Sequence, residues 1–377
     1  MRTKAIIYLN HFLENLLAVK ARIGINRHIC IPVKADGYGH GAIEIAKTSL
    51  KAGVFCFGIA AVEEGIELRK GGIKAPLLLF SQPHFKEIPA IIYNGLIPYV
   101  SDSEFITALN DQAKLRKSKI PVHLKIDTGM GRLGCLTEEA PALAQQINKS
   151  AGLKYMGTAT HFAVSDSTDP ADIAYTKLQI VRFKEALESI KSAGIEPGIV
   201  NAANSGAVIL HPESWFDMVR PGIFLYGYKT ADESKIPGFP FERLKAKPVM
   251  ELRCTVVLIK KVKKGESVSY GRIWTAEEDT NIAILSAGYA DGLPRLASSK
   301  WQAVINGKNY PLVGRICMDQ CCVDLGAETD VLRWDEASLF GGSAPDAGAL
   351  AASVGTIPYE ITCGINKRVE RVNMYTP

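Results

Sequence analysis

The feature that most limits the fold of this chain is a regular alternation of short apolar runs and helix-like segments over its first ~220 residues. Eight runs rich in β-branched residues are predicted strands: Ile29–Val33, Phe55–Ala60, Pro76–Phe80, Leu96–Val100, Val122–Ile126, Tyr155–Thr160, Gly198–Val200 and Asp217–Val219. Amphipathic helices follow most of them, most clearly at Ala61–Lys70, Asp102–Lys117 and Ala171–Ala193. Continuous apolar strands joined by helices are typical of a parallel sheet that is covered on both faces. Eight such units predict a closed (β/α)8 TIM barrel rather than an open sheet.

The pattern changes at Lys229–Pro248, where several Pro and Gly residues interrupt any helix. Beyond this stretch the sequence predicts strands at Val249–Val262, Ile282–Ala287, Ala303–Ile305, Tyr310–Val313 and Cys321–Leu325. We therefore expect a barrel over residues 1–239 and a mostly β C-terminal domain over residues 240–377. Residues 1–9 precede the barrel and include a strand-like piece, Lys4–Tyr8, that is able to pair with the second domain.

The composition argues against several classes of function. The net charge is only +5 and the basic residues are scattered, so we expect no nucleic-acid partner. No apolar run reaches the ~18 residues of a membrane span and the N-terminal sequence lacks a signal peptide, so we expect neither a membrane location nor export. The eight cysteines are irregularly spaced, which is typical of free thiols in a reducing cytoplasm. Three of them cluster at residues 317–322, where a buried strand is favoured over a zinc site, so no metal is expected.

Polar side chains follow several of the predicted barrel strands at the point where each strand ends. In a (β/α)8 barrel the carboxyl ends of all strands meet at one mouth, which holds the active site. We therefore predict a site built from Lys34, Lys125, Asp127, Arg132, His161, Asn204, Ser205 and Arg220.

Lys34 is the most informative of these residues because it follows an apolar strand directly. On sequence alone it is either a strand-end lysine paired with a carboxylate such as Asp127, or a desolvated amine whose lowered pKa suits Schiff-base chemistry. Ser205, Gly222 and Ile223 lie in the loops after the seventh and eighth strands, the usual place for a phosphate in such barrels. A reactive lysine and a phosphate cup in one barrel together indicate pyridoxal phosphate (PLP) as the cofactor.

Two other motifs favour different functions. Gly37, Gly39 and Ala42 fit the G-x-G-x-x-A dinucleotide fingerprint, and the acidic pair at residues 63–64 follows the next strand, so a nicotinamide dehydrogenase is a competing hypothesis. A lysine at the strand–turn junction and eight βα units both argue against it. The Asp-Thr-Gly triplet at residues 127–129 resembles an aspartic-protease motif, but that chemistry needs a second copy, which the sequence lacks.

The segment VKADGYGHG at residues 33–41 resembles the PLP-lysine signature of the alanine racemases. The resemblance spans nearly the whole chain through further motifs: HLKIDTGMGR at 123–132, THF at 160–162, ANS at 203–205, VRPG at 219–222, VSYG at 268–271, GRICMD at 314–319 and PYE at 358–360. Members of this family have an N-terminal PLP barrel and a C-terminal β domain, and act as homodimers with shared active sites. The resemblance therefore implies an isomerase that interconverts L- and D-alanine and supplies D-alanine for peptidoglycan.

The resemblance assigns the catalytic roles. Lys34 binds PLP and serves as one base, while Tyr270 of the partner subunit serves as the base on the opposite face of the substrate. From its local sequence alone, Tyr270 is either a packing residue near a β-turn or an acid–base group. Met318 and Asp319 also come from the partner subunit, which implies a head-to-tail pair of chains.

The other implied roles concern cofactor and substrate binding. Arg220 faces the pyridine nitrogen, and His161 lies near the ring and hydrogen-bonds Arg220. Arg132 and the Met318 amide hold the substrate carboxylate, and Lys125, which is often carbamylated in this family, orients Arg132. The phosphate is held by Tyr38, Ser205, Gly222, Ile223 and Tyr359, with Asn204 as a neighbour.

Three alternatives stay open beside this reading. A racemase of broader specificity is one, because one methylene changes binding by only ~1–3 kcal/mol. A non-catalytic PLP-binding barrel is another, although the second domain that carries Tyr270 argues against it. Related enzymes of the same fold type decarboxylate basic amino acids. Decarboxylation needs the α-carboxylate to be aligned over the cofactor ring, whereas Arg132 is expected to hold that carboxylate elsewhere.

Overall fold

We describe residues 3–229 and 245–375 of a computed structural model of the chain. After strand β1 (Lys4–Tyr8), eight parallel strands close into a barrel in chain order: β2 (His28–Pro32), β3 (Cys56–Ile59), β4 (Leu77–Leu79), β5 (Leu96–Val100), β6 (Ile120–Lys125), β7 (Leu153–Ala159), β8 (Ile199–Asn201) and β9 (Met218–Val219). All eight predicted strands are present, and the predicted barrel with a mostly β domain after it is confirmed. The predicted boundary between residues 239 and 240 lies outside the described residues.

Helices surround the barrel: α1 (Leu9–Ile23), the short α2 (Lys34–Tyr38), α3 (Ala42–Lys51), α4 (Val62–Lys70), α5 (Ile88–Tyr93), α6 (Ser103–Leu115), α7 (Ala140–Lys149), α8 (Pro170–Ser192) and α9 (Ser205–Leu210). The three clearest helix predictions correspond to α4, α6 and α8. The Asp102 side chain begins α6 by accepting the Phe105 N–H at 2.7 Å, and Asp169 begins α8 by accepting the Ala171 N–H at 2.8 Å. Because each cap lies in a loop that follows a strand, the caps also fix the loops around the barrel mouth.

The second sheet combines strands from both ends of the chain. After the barrel come β10 (Met250–Val262), β11 (Thr280–Leu285), β12 (Gln302–Ile305), β13 (Lys308–Val313), β14 (Cys321–Asp324), β15 (Glu336–Phe340) and β16 (Glu370–Met374), with helices α10 (Ala347–Val354) and α11 (Pro358–Cys363) before β16. The order is β11-β14-β13-β12-β15-β10-β1-β16, in which β1 pairs antiparallel with β10 and parallel with β16. The elements β15, β16, α10 and α11 are not predicted from the sequence.

The barrel interior is a packed core with a cavity at one end. Alternate strand residues point inward and contact one another, among them Cys30, Cys56, Leu78, Ile97, Tyr99, Ala159 and Met218. Tyr99 from this cluster also borders the cavity at the mouth. Within the described part of the chain, no helix combines the length and the apolar character needed to cross a membrane.

Candidate active site

A cavity of about 500 Å³ opens at the carboxyl ends of the barrel strands. Ten of the predicted site residues line it: Lys34, Tyr38, Lys125, Arg132, His161, Asn204, Ser205, Arg220, Gly222 and Tyr359. Nine of these ten lie at or beyond the carboxyl ends of the barrel strands, whereas Tyr359 lies in α11, near the C-terminus of the chain. The strand-end rule therefore predicts most of this cavity, and a helix of the second domain completes its wall.

Lys34 lies between β2 and a left-handed turn of the backbone. Residues 35–38 have φ angles of 50°, 53°, 62° and 54°, although only one of the four is glycine. Glu64 supports this turn, since its Oε1 accepts the Ala35 N–H at 2.6 Å and its Oε2 accepts the Ala60 N–H at 2.7 Å. Glu64 therefore supports the lysine loop and is not a ribose-binding acid. Because backbone strain persists only where the surroundings determine it, the direction in which Lys34 leaves the strand is well defined.

The amine of Lys34 is largely removed from water. Burial lowers its pKa below the usual lysine value, and the positive charge of Arg132 lowers it further. Asp127 does not pair with it: the Oδ1 of Asp127 accepts the N–H groups of residues 129–131 and its Oδ2 accepts that of Arg132. The alternative of a structural Lys34–Asp127 pair is therefore wrong. Asp127 shapes the loop that carries Arg132, and Lys34 faces the cavity as a desolvated amine.

Arg220 is the most firmly held charged group of the cavity. Its Nη2 donates to the carbonyl oxygens of Thr160 at 2.8 Å and Ala202 at 2.9 Å and contacts His161 Nδ1 at 3.3 Å, while its Nη1 donates to Asn201 Oδ1. Burial first, and then the charge of Arg220, lowers the pKa of His161 well below its usual value. The guanidinium is thus fixed at the mouth beside a neutral imidazole.

The loops after β8 and β9 form a small polar cup. Ser205 Oγ accepts the N–H of Gly222 at 2.8 Å and that of Phe224 at 3.3 Å. A Cβ at Gly222 would lie 2.9 Å from the Oη of Tyr38, so this position allows the close approach that a phosphate needs. Asn204 has a structural contact, since its Oδ1 accepts the Ala207 N–H at 3.0 Å.

Besides Asp127, four predicted site residues do not line this cavity. Ile223 is buried beneath the cup, whereas Tyr270 is 72% exposed and Met318 is 53% exposed. Tyr270 lies in the connection between β10 and β11, and Met318 and Asp319 lie between β13 and β14. A single chain therefore brings together the groups predicted for cofactor binding but leaves the three groups predicted to act in a partner's site at the surface.

The cavity is also lined by residues that are not predicted from the sequence. Ser81 and Gln82 follow β4, and Tyr99 lies near the end of β5, so the strand-end rule could have found them. Tyr99 donates to Asn201 Oδ1 at 3.0 Å, the same oxygen that accepts from Arg220. Asn201 thus links two cavity residues, although nothing in its local sequence indicates this.

Comparison with known proteins identifies the family. A family model described as "Alanine racemase, N-terminal domain" matches residues 7–230, and one described as "Alanine racemase, C-terminal domain" matches residues 249–373. The chain belongs to the alanine racemase family. The alanine racemase of Treponema denticola is 49% identical to it over 377 residues, which cover 98% of this chain and 97% of that protein. The alanine racemase of Treponema pallidum is 44% identical and covers 98% of each chain.

Solved structures agree with this assignment. An alanine racemase structure from Clostridium difficile superposes with a TM-score of 0.93 at 35% identity, covering 100% of this chain and 96% of that one. An alanine racemase structure from Streptomyces lavendulae gives a TM-score of 0.91 at 32% identity, covering 100% of this chain and 98% of that one. The family resemblance and the assignment of the chain as a racemase, an isomerase, are confirmed, and the dehydrogenase hypothesis is wrong.

Proposed function

We propose that this racemase interconverts L- and D-alanine with PLP as its cofactor, in a homodimer whose two active sites each use residues of both subunits. The observation that carries the proposal is Lys34, a desolvated amine that faces the same cavity as the fixed guanidinium of Arg220 and the cup around Gly222. The similarity to alanine racemases supports alanine as the substrate.

The cavity suits PLP in both chemistry and size. When bound, PLP supplies an electron-withdrawing ring that acidifies the hydrogen on the α-carbon of an amino acid. Lys34 is suited to bond its aldehyde, because a lysine with a lowered pKa is more often the neutral nucleophile. Ser205 and the backbone of Gly222 and Ile223 would hold the phosphate, together with the hydroxyls of Tyr38 and Tyr359.

Arg220 would contact the ring nitrogen of the cofactor. A guanidinium keeps its protons at any working pH, so it cannot protonate that nitrogen and leaves the ring a weaker electron sink. By leaving that nitrogen unprotonated, Arg220 would favour return of the α-proton over side reactions such as transamination. Asn201, Thr160 and Ala202 hold Arg220 for this task, and His161 lies beside it.

Arg132 and the Met318 amide of the partner subunit would hold the carboxylate of the substrate. A guanidinium binds a carboxylate through two parallel hydrogen bonds, so it fixes orientation as well as charge. Lys125 is buried next to this loop, and burial and the charge of Arg220 lower its pKa well below the usual value. We propose that the neutral Lys125 amine adds carbon dioxide and releases a proton to form a carbamate, and that the negative charge of this carbamate orients Arg132.

Racemisation requires that a proton leave one face of the α-carbon and return to the other. Lys34 is suited to one face, and the phenol of Tyr270 from the partner subunit to the other. Asp319 of the partner subunit would support the segment that carries Met318. Head-to-tail pairing of two chains would bury Tyr270 and Met318, which are large, apolar and exposed in one chain.

A small substrate is favoured by the aromatic wall of the cavity. The rings of Tyr38 and Tyr359 lie 5.7 Å apart between centroids, and Tyr270 of the partner would close the remaining side. A methyl group fits such a space better than a longer side chain, but one methylene changes binding by only ~1–3 kcal/mol. We therefore expect racemisation of serine at lower rates than that of alanine.

The proposed biological role is the supply of D-alanine for peptidoglycan in the cytoplasm. Eight free cysteines, most of them buried, suit a reducing compartment. Deletion of the gene should make growth depend on added D-alanine, which would test the role separately from the chemistry.

The decisive experiment combines chemical trapping with an optical assay. Borohydride reduction of the purified protein, followed by peptide mass spectrometry, should locate a pyridoxyl group on Lys34, and Lys34→Ala should carry none. In parallel, polarimetry with L-alanine and a panel of other amino acids should show the largest rate for alanine. A tag at another residue would contradict the cofactor assignment. A tag without any rotation change would identify a non-catalytic PLP-binding protein, and equal rates with serine would identify a broader racemase.

A further inference from the structure

Two arginines near the C-terminus, Arg368 and Arg371, hold different loops of the proposed site. Arg371 donates from Nε to the carbonyl oxygen of Gly39 at 3.1 Å. Gly39 ends the left-handed turn that follows Lys34, so Arg371 supports the lysine loop of its own chain. Arg368 makes no such contact in the described residues, and its side chain points to the second domain instead.

Arg368 bridges a buried carboxylate and an exposed one. Its Nε donates to Asp291 Oδ1 at 2.8 Å, and Asp291 is only 1% exposed. Asp291 is itself fixed, because its Oδ2 accepts the Gly288 N–H at 2.9 Å. From this anchor the Nη1 of Arg368 reaches Asp319 Oδ1 at 2.9 Å. The guanidinium of Arg368 thus links Asp319 to the buried part of the second domain.

The turn at residues 288–291, which contains Asp291, also orients the peptide bond between Cys317 and Met318. The Tyr289 N–H donates to the Cys317 carbonyl oxygen at 3.0 Å, and the Ala290 N–H donates to that of Met318 at 2.9 Å. In a trans peptide the C=O and the following N–H point in opposite directions, so the first bond directs the Met318 N–H away from Tyr289. A Cβ at residue 288 would lie 2.4 Å from the Met318 oxygen, which shows how closely the two loops pack.

We propose that Arg368 is a positioning residue for the active site of the partner subunit, acting through Asp319 on the Met318 amide, whereas Arg371 acts on the site of its own subunit. The proposal rests on the shared active sites proposed above. Because Met318 and Asp319 are exposed and do not line the cavity of their own chain, Arg368 influences chemistry at a lysine that belongs to the other chain.

The test is complementation between two differently tagged chains in PLP-loaded heterodimers, purified by sequential affinity steps. In a heterodimer of Lys34→Ala with Arg368→Gln, one site combines an intact barrel with the intact loops of the other chain, and the second site contains both changes. We expect kcat/KM of the Arg368→Gln homodimer to fall about 10-fold, since a displaced binding group costs orientation. The heterodimer should recover about half of the wild-type activity, one site of two.

Arg371→Gln is the matched control. Its defect lies in the barrel that also supplies Lys34, so the heterodimer of Lys34→Ala with Arg371→Gln should stay at the low level of the Arg371→Gln parent. Recovery with Arg371→Gln, or no recovery with Arg368→Gln, would overturn the assignment. A second pair, Lys34→Ala with Tyr270→Phe, tests the sharing itself: if it shows no recovery, the proposed shared sites fail, and the role of Arg368 in the partner's site fails with them.

Further measurements separate positioning from folding or assembly. Arg368→Lys should restore most of the activity because it keeps a cation between Asp291 and Asp319, and Lys367→Gln, which removes the neighbouring exposed cation, should behave as wild type. The Arg368→Gln loss should appear mainly in KM, since the group displaced holds the substrate carboxylate. Sedimentation should give a dimer for Arg368→Gln, and a monomer would assign Arg368 to assembly and overturn the proposal.

Discussion

The barrel mouth and the surface loops of the C-terminal domain are built in opposite ways, although both are proposed to serve the same reaction. At the mouth, the amines of Lys34 and Lys125 and the guanidinium of Arg220 are largely removed from water by the chain itself. On the loops, Tyr270 and Met318 are 72% and 53% exposed. The groups proposed to hold the cofactor are thus desolvated by their own fold, whereas the groups proposed to act in the partner's site lie at the surface of their own chain.

The two regions also differ in what stabilises them. Burial of a charge is unfavourable unless it is paired or hydrogen-bonded, and the Arg220 guanidinium has oxygen acceptors from Asn201, Thr160 and Ala202. The loop of Met318 has backbone hydrogen bonds and the ion pair of Asp319 with Arg368. Changes at the mouth should therefore affect cofactor and chemistry within one subunit, and changes in the loops should act on the other subunit.

The largest effect is expected for Lys34→Ala. This change removes both the cofactor link and one base, so the racemisation rate should fall by more than about 10⁴-fold. Polarimetry with L-alanine measures the rate, and the absorbance of bound PLP reports the cofactor. Lys86→Ala, at an exposed lysine of the same barrel, is the control and should keep the wild-type rate. Activity within tenfold of wild type in Lys34→Ala would mean that the mouth does not carry the chemistry.

The next effect tests the loops. Tyr270→Phe should slow removal of the α-proton from L-alanine by about 10²–10⁴-fold, and removal from D-alanine far less, because only one of two bases is lost. Exchange of the α-hydrogen with deuterium, followed separately for each enantiomer, measures this asymmetry. Tyr93→Phe, at a tyrosine that is 90% exposed on the barrel, is the control. Equal slowing of both exchanges would contradict a division of the bases between mouth and loops.

The barrel could be predicted from the sequence more completely than the second domain. Its strands are local, continuous and apolar, and each pairs with the next in chain order, so periodicity alone defines them. In the second sheet, β1 pairs with β10 and β16, whose residues lie hundreds of positions away. The β16 segment is mostly polar and half-exposed, so it carries no local strand signal, and only the tertiary pairing explains it.

The site divides in the same way. Lys34, His161 and Arg220 follow from the rule that barrel chemistry lies at strand ends. Tyr359 reaches the cavity from α11, and Asn201 supports Arg220 from inside the barrel, so neither follows from its local sequence. The resemblance to alanine racemases predicts Tyr359 as a site residue, but it does not predict the role of Asn201. Contacts between side chains that are distant in sequence are what local patterns cannot show.

A smaller effect concerns the cup at the mouth. In Gly222→Ala the new methyl group would lie 2.9 Å from Tyr38 Oη but 3.5 Å from Tyr38 Cζ, so the hydroxyl alone causes the conflict. We expect the dissociation constant of PLP to rise about tenfold, because the Tyr38 hydroxyl must move away from residue 222 and both are proposed to face the phosphate. Equilibrium dialysis of the cofactor measures this constant.

A double-mutant cycle supplies the control for that prediction. In the Tyr38→Phe background the hydroxyl is absent, so Gly222→Ala should weaken PLP binding little beyond Tyr38→Phe alone. Additive losses in the double variant would indicate that the methyl group displaces the phosphate itself and not the tyrosine.

The smallest effect is a pH dependence of stability that belongs to the barrel alone, since all seven histidines lie before residue 212. Burial lowers the pKa of His40 to about 4 and that of His123 to about 3, from 6.5. The unfolded chain therefore binds protons that the folded barrel does not, so stability is full above pH 6.5 and falls as the pH drops toward those values. Each histidine should remove about 0.7 kcal/mol of unfolding free energy between pH 7 and pH 6.

Denaturant unfolding at closely spaced pH values measures the slope of the unfolding free energy against pH. His40→Gln and His123→Gln should each reduce the loss of unfolding free energy between pH 7 and pH 6 by about 0.7 kcal/mol, and the double variant by twice that amount. This holds whatever effect the substitutions have on stability at pH 7. The slope should not vanish, because burial also lowers the pKa of His161 and His211. A double variant with the full wild-type slope would show that other groups control the acid sensitivity. A slope that persists in a variant that lacks all four buried histidines would assign that sensitivity to other groups, of which the buried Lys125 with its lowered pKa is one within the barrel.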